Sequence, residues 1–368
     1  MSINVTQPFM PPKKEYRELI DRIWDEKWLT NNGPLLKEFE NDLQAYLGVD
    51  RLHLTVNGHI ALESALAAFH LKGEVLTTPF TFASTTHAIV RQGLTPVFCD
   101  IRGDDFTLNA DALEAQITEK TCAIVPVHVY GYPCHVEDIE RIAKKHNLKV
   151  VYDAAHTFGV RYKGKSLCDY GDSAILSFHA TKLFHTIEGG AVVSHSEEYA
   201  QAVEECKNYG ILDEETVVSA GGNAKMNEFQ AAMGIVNLRY VEELIAERRV
   251  ISQYYYKLLE GIPGISFHKA ETENIRYNYA YFPIFVDETA YGRNRNELFS
   301  KLRESGINAR KYFYPITSDF DCYRDRYHSE TPIARAASSR VMCLPLYNGL
   351  ALKDVERICG IIENFKRK

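Results

Sequence analysis

Val150-Val151-Tyr152-Asp153-Ala154-Ala155-His156 reads as a buried strand that ends on a carboxylate. A short unbroken apolar run bounded by a turn is the pattern of a strand covered on both faces. A second ending follows at Ser177-Phe178-His179-Ala180-Thr181-Lys182, where a short apolar strand runs into a polar turn. Glu188-Gly189-Gly190 then opens the next apolar run, Ala191-Val192-Val193. An aspartate at one strand end and a lysine at another can share the crevice beyond the carboxyl ends of an open sheet.

Outward from these two endings the chain alternates. Val75-Leu76-Thr77, Pro96-Val97-Phe98-Cys99 and Ala123-Ile124-Val125-Pro126-Val127 read as further strands, with helical patterns such as Ile139–His146 between them. This β–α alternation predicts a mostly parallel sheet covered by helices. Periodicity alone stops at the α/β class and does not separate one three-layer fold from another. Residues Asn223 to Leu259, rich in Ala, Glu and Leu, read as one long helical stretch with room for a break. Beyond it come fewer elements, among them a strand at Tyr281–Val286 and a closing helix at Ala351–Ile358. The expected organisation is a large domain over residues 1–240 and a smaller C-terminal domain over 241–368, with the long helix as hinge.

Composition narrows the function classes. At 45% hydrophobic and 25% charged residues the chain is an ordinary soluble globular protein. A formal net charge of -7 argues against a general nucleic-acid binder. No apolar run approaches the roughly 20 residues that span a bilayer. The start Met1-Ser-Ile-Asn-Val-Thr-Gln-Pro lacks the charged segment and apolar stretch of a signal peptide. Eight cysteines are scattered without a CxxC pair, and Cys99, Cys122 and Cys343 sit in apolar runs, as reduced core residues of a cytoplasmic protein do. His156, His179 and His185 flank the two strand endings, but no HExxH or close Cys/His cluster accompanies them, so no metal is expected. Neither a GxxxxGK[ST] loop nor a GxGxxG fingerprint is present, which removes triphosphate hydrolysis and dinucleotide redox chemistry.

The Asp153–Lys182 pairing suits pyridoxal phosphate. That cofactor needs an amine to bond its aldehyde carbon and a carboxylate to keep its pyridine nitrogen protonated. Taken singly, each residue has an ordinary reading: Asp153 as a helix N-cap and Lys182 as a solvated charge. A phosphate site is also on offer. Leu52–Val56 reads as a strand, and Asn57-Gly58-His59 turns it into a helix at Ile60–Ala68, whose first amides are free to bind an anion.

These segments together resemble the DegT/DnrJ-type sugar aminotransferases, over nearly the whole chain from Trp28-Leu29-Thr30-Asn31-Asn32-Gly33-Pro34 to Leu344-Pro345-Leu346-Tyr347. The resemblance implies fold type I, that of the aspartate aminotransferases: a three-layer large domain with a mostly parallel sheet and a smaller α+β domain. It implies pyridoxal 5'-phosphate as cofactor and Lys182 as the catalytic lysine. It places Ala155 beneath the cofactor ring, His156 near its phenolic oxygen, and Phe82 stacked on it, with Phe80 a competitor for that role. Gly58, His59 and Ser177 fall at the phosphate. The family usually has Ser-Gly-Thr where this chain has Asn57-Gly58-His59, so a hydroxyl is lost and the backbone donors remain. Asn223 resembles an asparagine that crosses to a neighbouring subunit's phosphate, which implies a homodimer with shared active sites. Lys225, where most members have arginine, and Tyr314, in Tyr312-Phe313-Tyr314-Pro315, match substrate-contacting positions. The branch resembled implies glutamate as amino donor and C4 of dTDP-4-keto-6-deoxyglucose as acceptor, in deoxysugar and O-antigen biosynthesis. The rivals are C3 amination, a deoxygenating dehydratase of the same fold (in which histidine replaces the lysine), and a non-catalytic sensor or scaffold.

Overall fold

The computed structural model describes residues 2–366. Its centre is a seven-stranded sheet made of β1 (Arg51–Thr55), β2 (Glu74–Thr77), β3 (Thr95–Phe98), β4 (Thr121–Val125), β5 (Lys149–Asp153), β6 (Ser173–Ser177) and β7 (Gly190–Ser194). Their spatial order is β1-β7-β6-β5-β4-β2-β3. The pairs β6–β5, β5–β4, β4–β2 and β2–β3 are parallel, and β7 runs antiparallel to both of its neighbours.

The apolar runs are continuous because both faces of the sheet are covered. Successive side chains of a strand point to opposite faces, and here alternate residues join different cores. Val75, Ala123, Val125, Val151, Ile175 and Val192 pack with Ala61, Leu62, Ala65, Leu66, Ala88, Ile89 and Val203 from three helices, Gly58–Ala67, Ala83–Arg91 and Glu197–Lys207. Leu76, Ile124, Val150, Tyr152, Leu176 and Val193 join the larger core on the other side, with Leu36, Phe39 and Leu43 of helix Pro34–Leu47 and Ile139 of helix Val136–His146. Each fully buried aliphatic side chain contributes about 1.5–3 kcal/mol of transfer free energy, so both layers are fixed by the same strands.

The stretch from Asn223 is not one helix. It remains irregular up to Asn227, then forms Glu228–Leu238 and Val241–Leu259 with a break at Arg239 and Tyr240. Asn227 and Gln230 close a capping box, and a side chain bonded to its own backbone sets the helix start later than Ala/Glu/Leu content suggests. Glu228 caps a second helix as well: its carboxylate accepts the N–H groups of Leu35 (2.8 Å) and Leu36 (3.1 Å). Beyond residue 260 a small antiparallel sheet pairs Ile265–Ser266 with Phe282–Val286 and the latter with Val341–Leu344. Helices Arg295–Glu304, Pro332–Arg340 and Leu352–Phe365 accompany it.

Candidate active site

Strand register brings the site together. Gly190 lies opposite both Ser177 and Thr55, so the ends of β6 and β1 and the start of β7 meet at one sheet edge. That edge leaves no room: a Cβ on Gly190 would come within 2.7 Å of the Asn57 and Gly58 backbone, and one on Gly58 within 2.7 Å of Ser177 Cβ. Gly58 therefore allows the turn into helix Gly58–Ala67 to press against Ser177. Asn57 caps that helix through Oδ1, which accepts the Ile60 N–H at 2.9 Å. The amides of Gly58 and His59 belong to the first turn, where no intrahelical acceptor exists. The His59 ring is already engaged, Nδ1 with Ser84 Oγ at 2.8 Å and Nε2 with Glu63 Oε1 at 3.0 Å.

Asp153 ends β5 and is buried. Thr85 Oγ1 donates to its Oδ2 at 2.7 Å, and the Ala155 N–H donates to Oδ1 at 3.1 Å. Burial raises the Asp153 pKa, while the two hydrogen bonds and the Lys182 charge pull it back down. Lys182 lies in the turn after β6, and its amine donates to the Tyr281 hydroxyl at 3.3 Å. Burial lowers its pKa to about 8, against the opposing pull of the Asp153 carboxylate. An amine in that range is neutral in a useful fraction near neutrality, which is the nucleophilic and proton-accepting form.

His156 lines the same cleft as Lys182. The Tyr130 N–H donates to its Nδ1 at 3.1 Å, and burial holds its pKa well below the ordinary value. The ring is therefore neutral with its proton on Nε2, a donor. Its plane lies 4° from that of Phe313 at 5.9 Å, and the Tyr281 ring packs edge-on at 4.8 Å. Asn278 ties the segment before Tyr281 to the turn that follows β5, since its side-chain amide donates to the carbonyls of His156 and Phe158, both at 2.9 Å. Ala155, His156, Ser177, Lys182, Asn278 and Tyr281 line one cleft.

The two candidate aromatics part company. Phe80 is fully buried beside Tyr130 and Phe313, whereas Phe82 is 58% exposed at the start of helix Ala83–Arg91 and free to stack. Asn223 and Lys225 are not drawn into this cleft. Asn223 is exposed, and Lys225 Nζ donates to Asn208 Oδ1 at 2.7 Å. Tyr314 is half-exposed, with the Arg295 guanidinium carbon 4.6 Å from its ring centroid. Nothing in the sequence marks Thr85, Tyr130, Tyr281 and Phe313; they are ordinary core letters there, and only the packing gives them their roles. Among the described residues no group of three His, Cys, Asp or Glu is placed to hold a metal, and no helix is long and apolar enough to cross a membrane.

This donor set fits pyridoxal phosphate. The depressed amine of Lys182 suits the aldehyde carbon, the buried Asp153 carboxylate suits a protonated ring nitrogen, and the close approach of Gly58 to Ser177 puts first-turn amides and a hydroxyl where a phosphate needs donors. Comparison with known proteins agrees. The DegT/DnrJ/EryC1/StrS aminotransferase family model matches residues 12–363. A dTDP-4-amino-4,6-dideoxy-D-glucose transaminase of Escherichia coli is 41% identical over 367 residues, 98% of each chain. The crystal structure of DesI with its TDP-sugar product has a TM-score of 0.95 at 32% identity, covering 99% of this chain and 92% of its own. Spr1654 from Streptococcus pneumoniae, solved in its PLP form, has a TM-score of 0.92 at 25% identity, over 99% of this chain and 98% of its own. The chain thus belongs to the DegT/DnrJ/EryC1/StrS aminotransferase family, and it is a pyridoxal-phosphate-dependent aminotransferase.

Proposed function

We propose that the enzyme moves an amino group from L-glutamate to C4 of dTDP-4-keto-6-deoxyglucose, giving dTDP-4-amino-4,6-dideoxyglucose for deoxysugar and O-antigen assembly. The observation that carries the reaction is the Lys182 amine, lowered to about 8 by burial, bonded to the Tyr281 hydroxyl and within the field of the Asp153 carboxylate. The sugar and its nucleotide draw their support from the relative 41% identical over almost the full length. Lysine at position 182 speaks against the deoxygenating rival, which carries histidine there.

Bound pyridoxal phosphate supplies an electron sink for a carbanion formed beside it and carries the amino group between the two substrates. Lys182 anchors it, then takes a proton from the donor carbon and returns one to the sugar carbon. Asp153 keeps a proton on the ring nitrogen. His156 donates from Nε2 toward the phenolic oxygen, and Phe82 covers the ring. Gly58 and His59 through their amides, and Ser177 through its hydroxyl, hold the phosphate. Asn223 completes that phosphate site from a second subunit of a symmetric dimer, while Lys225 and Tyr314 contact the sugar nucleotide. All eight cysteines are free thiols, as suits a reducing, cytoplasmic compartment. The test is a product assay with 4-keto-6-deoxy sugars on dTDP, UDP and GDP, with glutamate, glutamine and aspartate as donors. The expected result is a C4 amine on the dTDP sugar with glutamate; a C3 amine or no turnover of any nucleotide sugar would overturn the reading.

A further inference from the structure

Beside Phe82 a cleft of about 420 Å³ opens between the start of helix Ala83–Arg91 and the segment 310–315. Its lining side chains include two cations, Arg310 and Lys311, and no carboxylate. That is unexpected in a chain whose 49 acidic residues outnumber 42 basic ones. Neither cation has an ion-pair partner among the described residues. Lys311 Nζ instead donates to Asn296 Oδ1 at 2.6 Å and lies 4.8 Å from the Phe299 ring centroid, and Arg310 is exposed. A third charge stands behind them. Arg295, 2% exposed, is held by the carbonyls of Ser338 and Val341 and stacks on Tyr314. Both burial and Arg295 push the Lys311 pKa down. Like charges gathered without counter-ions repel one another, and an anionic ligand relieves that cost.

Aromatic side chains connect the wall of this cleft to the reacting centre. Phe313 lies 6.5 Å from Phe82 and 5.9 Å from His156, and Tyr312 lies 5.9 Å from Tyr281, whose hydroxyl meets Lys182. We propose that Arg310 and Lys311 bind the diphosphate bridge of a nucleoside-diphosphate sugar, with the half-exposed Tyr314 as the apolar face beside it. This rests on the nucleotide-sugar reading above and assigns to it residues that the resemblance did not. Two separate cations suit a diphosphate, whose two phosphoryl groups each carry charge. The linked sugar then extends past Phe82 toward Lys182.

The experiment titrates the holoenzyme with dTDP and, separately, with thymidine by calorimetry. Arg310→Gln and Lys311→Gln are each expected to raise the Kd for dTDP about 10-fold, with thymidine affinity and the cofactor's absorbance unchanged. Arg141→Gln, at an exposed arginine paired with Asp138, serves as the control and should bind dTDP as the parent does. In the unaltered enzyme the dTDP Kd should also rise steeply with salt while the thymidine Kd stays flat, which keeps the idea testable should either variant fold poorly. Unchanged dTDP affinity in both variants, or a salt-independent dTDP Kd, would overturn the diphosphate site yet leave the nucleotide-sugar reading standing. An enzyme that turns over no nucleotide-linked keto sugar and binds none of dTDP, UDP and GDP would remove both.

Discussion

Asp153 and Lys182 are completed within one chain, whereas Asn223 and Lys225 are left at its surface. The first pair sits at the ends of adjacent parallel strands, with Thr85, Ala155 and Tyr281 satisfying their polar atoms. The second pair follows a segment that exposes Tyr209, Ile211, Leu212, Val217 and Val218, an apolar surface more typical of a contact than of a free face. The contrast separates groups whose partners lie in their own chain from groups for which a role in a neighbour's site is proposed. The proposed proton transfer falls in the pre-organised crevice, and the proposed second-subunit contribution falls beside an exposed apolar surface.

The largest effect should come from the crevice. Lys182→Ala removes both anchor and base, and transamination should fall by about 10⁴-fold. In the parent enzyme, borohydride should fix the cofactor on Lys182, and peptide mapping that finds the label on another lysine would break the assignment. Asp153→Asn ranks next. Leaving the ring nitrogen without its buried partner is worth about 3–5 kcal/mol, or more than about 10²-fold in kcat. It also has a signature in the apoprotein. The carboxylate raises the Lys182 pKa, so its loss must move the amine below its present value of about 8. The pH at which Lys182 reaches half-maximal acylation, followed by mass spectrometry, should therefore fall.

Thr85→Ala tests the support of that carboxylate. A hydrogen bond to a charged group is worth about 1.5–3 kcal/mol, so kcat should drop roughly tenfold or somewhat more. The Thr85 hydroxyl lowers the Asp153 pKa; without it that pKa rises, and the acid limb of the pH–rate profile should move to higher pH. Thr85→Ser, which keeps the hydroxyl, should restore both. Rescue of neither would make Thr85 a packing residue only.

How much of this was legible in the sequence depends on range. Asp153 and Lys182 stand out because each closes a strand whose apolar run is local, and local patterns carry strand ends well. The register that joins them, with Val151 opposite Ser173 and Asp153 opposite Ile175, is a property of the sheet alone. Tyr281 lies 99 positions from Lys182 and Thr85 lies 68 from Asp153, so no spacing announces either contact. The helix expected from Asn223 was misplaced at its start for a related reason. By composition Asn227 and Gln230 read as part of the helix, while their side chains form the cap that begins it. At His59 the sequence showed a missing hydroxyl, but not that Ser84 and Glu63 occupy both ring nitrogens.

The smallest expected signal is also the one that decides between a private and a shared site. Lys182→Ala chains and Asn223→Ala chains should each be inactive or severely impaired when pure. Asn223 is exposed and makes its bridge to Asn208 through the backbone, so its truncation should leave the fold intact. In a symmetric dimer that exchanges subunits, random pairing of equal amounts makes half of the dimers mixed. If Asn223 serves the neighbour's phosphate, one site of each mixed dimer draws a sound lysine from one chain and a sound asparagine from the other. The opposite site collects both defects. Recovered activity should then approach about a quarter of the parent value, and it should appear at the rate of subunit exchange, followed in parallel with differently tagged chains. If Asn223 acted in its own chain, every site of a mixed dimer would carry one defect, and mixing would recover nothing even with exchange complete. The kinetics matter as much as the amplitude, because a gain that precedes exchange cannot come from sites assembled across two chains.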